Sequence, residues 1–301
     1  MMKRKIKNVP TSLDRKMFNV FSYLFLTVLT IYCTIPFWLI IVGSLTTQES
    51  ILLDGYRLWP KSFSGEAYEI LFKAPGALLN AYAVTIGVTV IGTISSLLMM
   101  SMAAYVLNSK DFKYRNKVSF FYYFTSIFGG GLVPWYILCI KYLHFKNNFL
   151  SLILPIVVNV TYLLILKSYM KSIPDSIYES AKLDGAGDFT IYAKIILPLC
   201  KPGMATVGLF TALNYWNDWY NAMLFIDNEK MFPLQYYLNN ILTKASALQA
   251  AAARSGIVVA SIPSEPMKLA MTVIAIGPII LLYPFLQRYF IKGVTIGAVK
   301  G

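Results

Sequence analysis

Asn214, Asn217, Asp218 and Asn221 recur at i, i+3, i+4 and i+7 in an otherwise apolar stretch, the spacing of one face of a helix. Amides both donate and accept hydrogen bonds and a carboxylate accepts them, a set suited to a ligand rich in hydroxyls. Against lipid such a stripe is costly, so it is expected to face a cavity or another helix, with bonding between helices as the competing use. Asn80 and Asn159 are weaker candidates of the same kind. Tyr215, Trp216, Trp219 and Tyr220 fall largely on the opposite side of this wheel; they could flank a sugar, but interfacial anchoring or subunit packing is expected.

A second group of candidate positions comprises Glu179, Ser180, Ala181, Asp184, Gly185, Ala186, Leu197 and Pro198. Upstream, Ser172 and Asp175 have capping-box spacing with Pro174 in the first turn, which predicts a helix over residues 173–184. Gly185 is the residue type suited to a left-handed stop after it. Asp188 offers a second N-cap, and Phe189, Tyr192, Ala193 and Ile196 share the spacing of one apolar face. Pro198 is expected to end that pattern at Leu197. The expectation is helix, tight turn, short helix, lying on the cytoplasmic face of the membrane. An amphipathic pair lying on anionic lipid is its plain reading.

Catalytic chemistry is poorly supplied. The single histidine, His144, neighbours Lys146 in a short turn, and no HExxH or GxSxG occurs. Cys33, Cys139 and Cys200 form no CxxC pair, which supports neither a metal site nor a disulfide framework. No Gly-Lys dipeptide exists, hence no P-loop, and no cofactor is expected in this chain.

The elements that must position these residues are membrane spans. The chain has 301 residues, 57% hydrophobic and only 14% charged, whereas soluble domains carry roughly a quarter charged residues. The apolar residues fall into six runs, about 18–44, 78–107, 118–140, 149–166, 203–226 and 269–287, whose one formal charge is Asp218. Each can cross about 30 Å of hydrocarbon as a helix, and backbone groups in lipid must be satisfied within their own segment. The expected fold is all-α and polytopic, with six transmembrane helices. Residues 1–17 form a cytoplasmic tail and residues 18–301 one transmembrane domain.

Charge placement sets the orientation. With both termini inside, the inner segments hold Lys3, Arg4, Lys5, Lys7, Arg15 and Lys16, then Lys110, Lys113, Arg115 and Lys117. They also hold Lys167, Lys171, Lys182, Lys194 and Lys201, and finally Arg288, Lys292 and Lys300, most of the 27 basic residues. The net charge of +13 is therefore spread along one membrane side, and no nucleic-acid reading motif accompanies it. The basic start precedes a full spanning run with no cleavage pattern, which reads as an anchor. Residues 45–77 and 227–268 become long external loops, the latter with a helix at Ala245–Ala253 closed by Arg254 and Gly256, and a candidate surface for an outside partner. Residues 141–148 form a short external turn, and residues 167–202 a long cytoplasmic loop. Gly129, Gly130 and Gly131 with Pro134 mark a hinge or close-packing point, and Pro36, Pro155, Pro278 and Pro284 suggest kinks.

The segment from Glu179 to Pro202, with Asp184-Gly185-Ala186 and Ile195-Ile196-Leu197-Pro198, closely resembles the EAA loop of ABC-importer permeases. Ser180 stands where that family prefers alanine. Gln287 to Gly301 resembles the C-terminus of the maltose-type carbohydrate permeases, and Ile262 to Met271 and Trp216-Asn217-Asp218-Trp219 fit their oligosaccharide branch. The resemblance implies a type I importer fold in a bacterial cytoplasmic membrane. Residues 167–202 would be the coupling loop, with Glu179 meeting a basic residue of the ATPase and Gly185 permitting the turn. The implied partners are a second homologous permease, two ATPase subunits that carry ATP and Mg, and an extracytoplasmic solute-binding protein reached by residues 227–268. The competing function is an ion-gradient-driven transporter or channel, but these usually place several ionisable residues in the membrane, and here only Asp218 is present.

Overall fold

The computed structural model describes residues 13–255 and 263–280. The basic tail before Leu13, the Gly256 stop, Pro284 and the motif from Gln287 to Gly301 lie outside the described residues, as does the end of the sixth expected span. Among the described residues the chain is helical, and extended pairing is limited to an isolated bridge between Thr46 and Phe63.

Leu13–Ser44 and Pro75–Asn108 are unbroken helices of 32 and 34 residues, each apolar enough to cross a membrane. At about 1.5 Å per residue both exceed the hydrocarbon thickness. Three more apolar segments reach that length only as bent pairs. Arg115–Ile127 meets Leu132–Tyr142 at 109°, Phe149–Ile156 meets Val160–Lys171 at 54°, and Asp188–Leu199 meets Lys201–Asn217 at 81°.

The third and fourth expected spans are thus interrupted, and the sequence signals differ in strength. At Gly129–Gly131 the open space around Gly129 and Gly130 argues against close packing, and Gly131 takes a left-handed φ of 84°. The glycine run is a bend. In the fourth, Pro155 lies in a tight turn, Leu154–Ile156, and Asn159 restarts the helix by accepting a bond from the Tyr162 amide at 3.2 Å. The 81° bend falls at Cys200, between Pro198 and Pro202 and ahead of the fifth expected span. That span is itself broken at Asp218, with neither glycine nor proline there.

The described chain divides into two compact units. In Met1–Leu71 with Ala252–Ile274, the expected loop after Ser44 contains helices Gln48–Asp54 and Glu66–Leu71. Thr47 caps the first through the Ser50 amide, and the Gln48 side chain accepts from the Glu265 amide at 2.9 Å.

In Phe72–Ala251 with Ala275–Gly301, helix Lys201–Asn217 packs on Pro75–Asn108 and Val160–Lys171. Small residues permit the approach: a Cβ at Gly92 would stand 2.5 Å from the Tyr215 ring, and one at Gly203 2.6 Å from Tyr169. Tyr215 is therefore core, its hydroxyl 3.0 Å from Ser96 Oγ and 3.0 Å from the Ile153 carbonyl. Trp216 is buried and donates to the Ala275 carbonyl at 3.1 Å. Both are packed within the chain, so neither is the interfacial anchor that the helical wheel allowed. The turn carrying His144 is seated by Asn147, whose Oδ1 accepts from the Asp227 and Asn228 amides at 2.7 and 3.0 Å. The helix expected at Ala245–Ala253 is longer, Leu234–Ser255.

Candidate functional site

Residues 167–202 contain the first candidate site. Val160–Lys171 ends at Ser172, whose hydroxyl bonds back to the Tyr169 carbonyl at 2.7 Å, so the expected capping box does not form. Ser172 serves the preceding helix, and extended Pro174 opens the next, Asp175–Leu183. That helix ends as its sequence requires. Gly185 has φ 78°, its amide bonds the Lys182 carbonyl at 3.0 Å, and the Ala186 amide bonds the Ala181 carbonyl at 3.0 Å. This pair of bonds is the Schellman closure, which satisfies carbonyls otherwise orphaned at a helix end. Ala181 and Ala186 pack in one apolar cluster beneath it.

After the turn, Gly187 rather than Asp188 occupies the capping position, and Asp188 is the first helical residue. Ile191–Ile196 then widens into a π-type turn, with the Leu197 amide reaching back to the Tyr192 carbonyl. Proline lacks an amide hydrogen and crowds the carbonyl four residues before it. A widened turn immediately before Pro198 relieves both problems, so the helix runs on to Leu199 instead of ending at Leu197. Widening also rotates the apolar face. Ile191, Tyr192 and Ile196 are buried, whereas Phe189, expected among them, is 74% exposed.

The outer surface carries Glu179, Ser180, Asp184 and Gly185, all exposed, together with Phe189 and Leu183, the latter 89% exposed. Pro198 is exposed and Leu197 half-buried. Beneath them Ala181 joins Leu107, Leu166, Met170, Ile191, Ile196, Cys200 and Val207, so the knob is continuous with three long helices. Polar ties fix it further. Lys110 reaches Asp175 at 2.5 Å, and Lys182 pairs with Asp111. The hydrogen bond from Lys182 holds the Asp111 carboxyl below its usual range, and the same pair raises Lys182, as Asp175 raises Lys110. Tyr178 stacks on Tyr105 at 6.3 Å, and burial pushes its hydroxyl up to about 12. Burial also raises the Cys200 thiol to about 11.

The second candidate, the polar stripe, is not a single helical face. Lys201–Asn217 ends at Asn217, Asp218 is extended (φ −76°, ψ 106°), and Tyr220–Phe225 is a separate short helix. Asp218 makes the break. Its Oδ1 accepts from the Tyr220 and Asn221 amides at 3.2 Å each, and its Oδ2 from Asn221 Nδ2 at 2.8 Å. The carboxylate thus caps its own backbone.

Asn214, Asn217 and Asp218 do share one cleft of about 470 Å³, lined also by Asn159, Pro155 and Val158. Asn221 is buried and does not line it; Trp219 and Tyr220 do, swung to this side by the break. Asn214 donates to Tyr162 Oη at 3.2 Å, and Asn217 accepts from Gln235 at 3.3 Å. Asn80 lies elsewhere, donating to the Lys230 carbonyl at 2.7 Å. The cleft therefore offers amides, one carboxylate and two aromatic rings, chemistry that can hold a sugar.

No protein-family model matches the sequence. Whole-chain relatives do. The chain is 36% identical over 289 residues to the polygalacturonan/rhamnogalacturonan transport system permease protein YtcP of Bacillus subtilis (strain 168), covering 96% of this chain and 100% of that protein. Protein LplC of the same organism is also 36% identical, over 288 residues, with 95% and 96% coverage.

The chain belongs to the ABC-importer permeases. The fold agrees: a bacterial ABC transporter involved in the import of the acidic polysaccharide alginate matches with a TM-score of 0.74 and 27% identity, covering 93% of this chain and 98% of that one. As an ABC permease it is a membrane subunit rather than an enzyme, and ATP hydrolysis lies with a separate chain. Import systems of this kind work with an ATPase and a solute-binding protein. A self-contained, gradient-driven transporter is not supported.

Sequence reasoning missed Leu183 and Phe189 as surface residues of the permease, and Lys110 and Asp111 as ties to its 167–202 segment. Leu183 had a signal: it lies two positions from buried Ala181, about 200° round the helix. Phe189 had none without the widened turn.

Proposed function

We propose that this permease is one of two homologous membrane subunits of an oligosaccharide importer, and that residues 167–202 dock on the ATPase. Six spans cross the membrane, counting the bent pairs Arg115–Tyr142 and Phe149–Lys171 once each, Lys201–Asn217 with Tyr220–Phe225 as the fifth, and the helix over residues 264–280 as the start of the last. Both termini are cytoplasmic, as the placement of basic residues favours. Two ATPase subunits carry ATP and Mg, and an extracytoplasmic binding protein delivers solute to the surface of residues 227–268.

The observation that carries the coupling assignment is the Schellman-closed turn at Gly185. It presents Glu179, Leu183, Asp184 and Phe189 outward while Ala181 stays inside the apolar cluster of the long helices. A knob built this way passes a push from the ATPase into Pro75–Asn108, Val160–Lys171 and Lys201–Asn217 with little slack. ATP-driven closure of the ATPase pair would then tilt these helices and open the pathway inward, an alternating-access cycle. The cleft at Asn214, Asn217 and Asp218 is the candidate sugar contact, and the transport names of its relatives support an oligosaccharide cargo.

The test is Gly185→Val beside Gly185→Asn in the intact importer. A β-branched residue at φ 78° costs about 1–2 kcal/mol, whereas asparagine tolerates the left-handed region. No atom lies within 4 Å of a Cβ at this position, so the strain is confined to the backbone. Valine is expected to leave the protein in the membrane but reduce recovery of the ATPase and sugar uptake by about tenfold, with asparagine near wild type. Undiminished uptake with valine contradicts the assignment.

A further inference from the structure

A cleft of about 550 Å³ opens beside the coupling segment, where three helices terminate together: the end of Pro75–Asn108, the start of Arg115–Ile127 and the end of Val160–Lys171. Its charged lining is one-sided. Lys110, Arg115, Lys167 and Lys171 face it, against the single carboxylate of Asp175, which Lys110 already engages at 2.5 Å. Arg115 and Lys167 are half-buried. Lys167 donates to a neutral partner, Ser119 Oγ, at 2.8 Å, and Arg115 reaches the Ser109 carbonyl at 3.5 Å. Three cations are thus held near one another among the described residues, with the cleft's one carboxylate already engaged by Lys110.

A second feature of the fold points the same way. Arg115 and Asn116, both in the lining, are the first residues of a 13-residue helix whose capping residue, Tyr114, makes no side-chain bond to its amides. The Arg115 amide bonds the Phe112 carbonyl at 3.1 Å. The amides that follow have no side-chain cap, so part of that terminus's positive charge is left for something else to satisfy. Just outside, Lys113 and Lys117 stand 6.0 and 5.9 Å from the Tyr114 ring centroid, adding to the field.

We propose that this cleft binds a phosphate oxyanion. Guanidinium, ammonium and helix-terminal amide donors are the groups that bind phosphate, and a half-buried setting strengthens them over surface lysines. Two sources supply that chemistry at a membrane face: the headgroup of an anionic phospholipid and free phosphate. The site is separate from the surface of Glu179, Leu183 and Asp184, yet shares Asp175 with that helix. Bound phosphate would therefore hold the 110–116 and 167–175 segments together.

Binding is measured on the purified importer with two probes, short-chain phosphatidylglycerol against phosphatidylcholine by native mass spectrometry, and inorganic phosphate by phosphorus NMR. Removing a lysine near an anionic headgroup costs about fivefold, so Lys167→Gln with Lys171→Gln is expected to weaken phosphatidylglycerol by about thirtyfold. Asn116→Asp keeps the fold, because a carboxylate favours a helix start, and still repels the ligand by about fivefold. The control, Lys194→Gln with Lys201→Gln, removes the same charge from exposed positions elsewhere and is expected to change binding less than about twofold. Loss of both probes in the cleft variants identifies phosphate itself as the ligand; loss of one identifies its source. Equal loss in the cleft and control variants, or no loss in either, overturns the proposal.

Discussion

The Asp175–Leu199 segment and the Asn214–Phe225 segment use acidic residues in opposite ways. In the first, Asp184 stands exposed at a helix end whose backbone is closed by Gly185 and Ala186, and Glu179 stands exposed beside it, so both carboxylates are left for a partner. In the second, Asp218 turns inward on its own chain and caps the Tyr220 and Asn221 amides. A turn closed by backbone alone frees its side chains for docking. A turn closed by a side chain fixes a cleft but leaves that side chain less free to act. Under the proposed function, the first device serves where the ATPase would dock, and the second where a sugar would pass.

The sharpest way to break this contrast is to soften the first region from below. Ile196 is fully buried in the cluster under the knob, and Ile196→Ala removes packing of about 2–5 kcal/mol. Hydrogen exchange over Asp175–Leu199 is expected to rise by more than tenfold with Asn214–Phe225 unchanged. Equal loosening of both would show that the two regions are one cooperative unit.

A smaller effect sharpens the second region. Asp218→Ala removes a cap of about 1 kcal/mol, and exchange at Tyr220 and Asn221 should rise about fivefold. Asp218→Asn keeps an acceptor and should stay within about twofold of wild type. If asparagine abolishes uptake with those amides still protected, the charge acts on the cargo as well as the backbone.

The smallest expected effect is with pH. Lys110 and Lys182 are raised by their carboxylate partners, so their contribution is full below the unfolded lysine value and fades only as pH rises through the folded one. Asp111 is lowered, so its share is full above the unfolded carboxylate value and fades only as pH falls through the folded one. Between about pH 5 and pH 9 neither limit is reached. Protection of Asp175–Leu183, corrected for intrinsic exchange, should therefore change less than about twofold.

How far each region was legible in the sequence follows from the range of the forces involved. The stop at Gly185 depends on one residue's backbone freedom and two bonds within six residues, and it stands as expected. The polar stripe depended on a helical period continuing through Asn217 and Asp218, with no glycine or proline to warn otherwise. Aspartate's habit of bonding amides two and three residues ahead was the available signal. The Ser172 capping box failed for a related reason, since its hydroxyl had a carbonyl within reach one turn back. Long apolar runs were legible as membrane segments, but the bends of 109°, 54° and 81° fall at local breakers, the Gly129–Gly131 run, Pro155 and the Pro198–Pro202 stretch, to which hydropathy is blind. The placement of Lys110, Lys167 and Lys171 around one cleft was beyond sequence altogether, because it joins positions some 60 residues apart.

The central claim is that the Gly185 turn meets the ATPase, and cysteine cross-linking in native membranes tests it most directly. Cys33 is exposed and is first replaced by serine; Cys139 and Cys200 are buried. Leu183→Cys, 89% exposed before substitution, is then compared with Trp219→Cys at the cleft. The account predicts a permease–ATPase adduct from position 183 that changes in yield with ATP, and none from position 219. An adduct from 219, or none from 183 with the importer assembled and active, would contradict it.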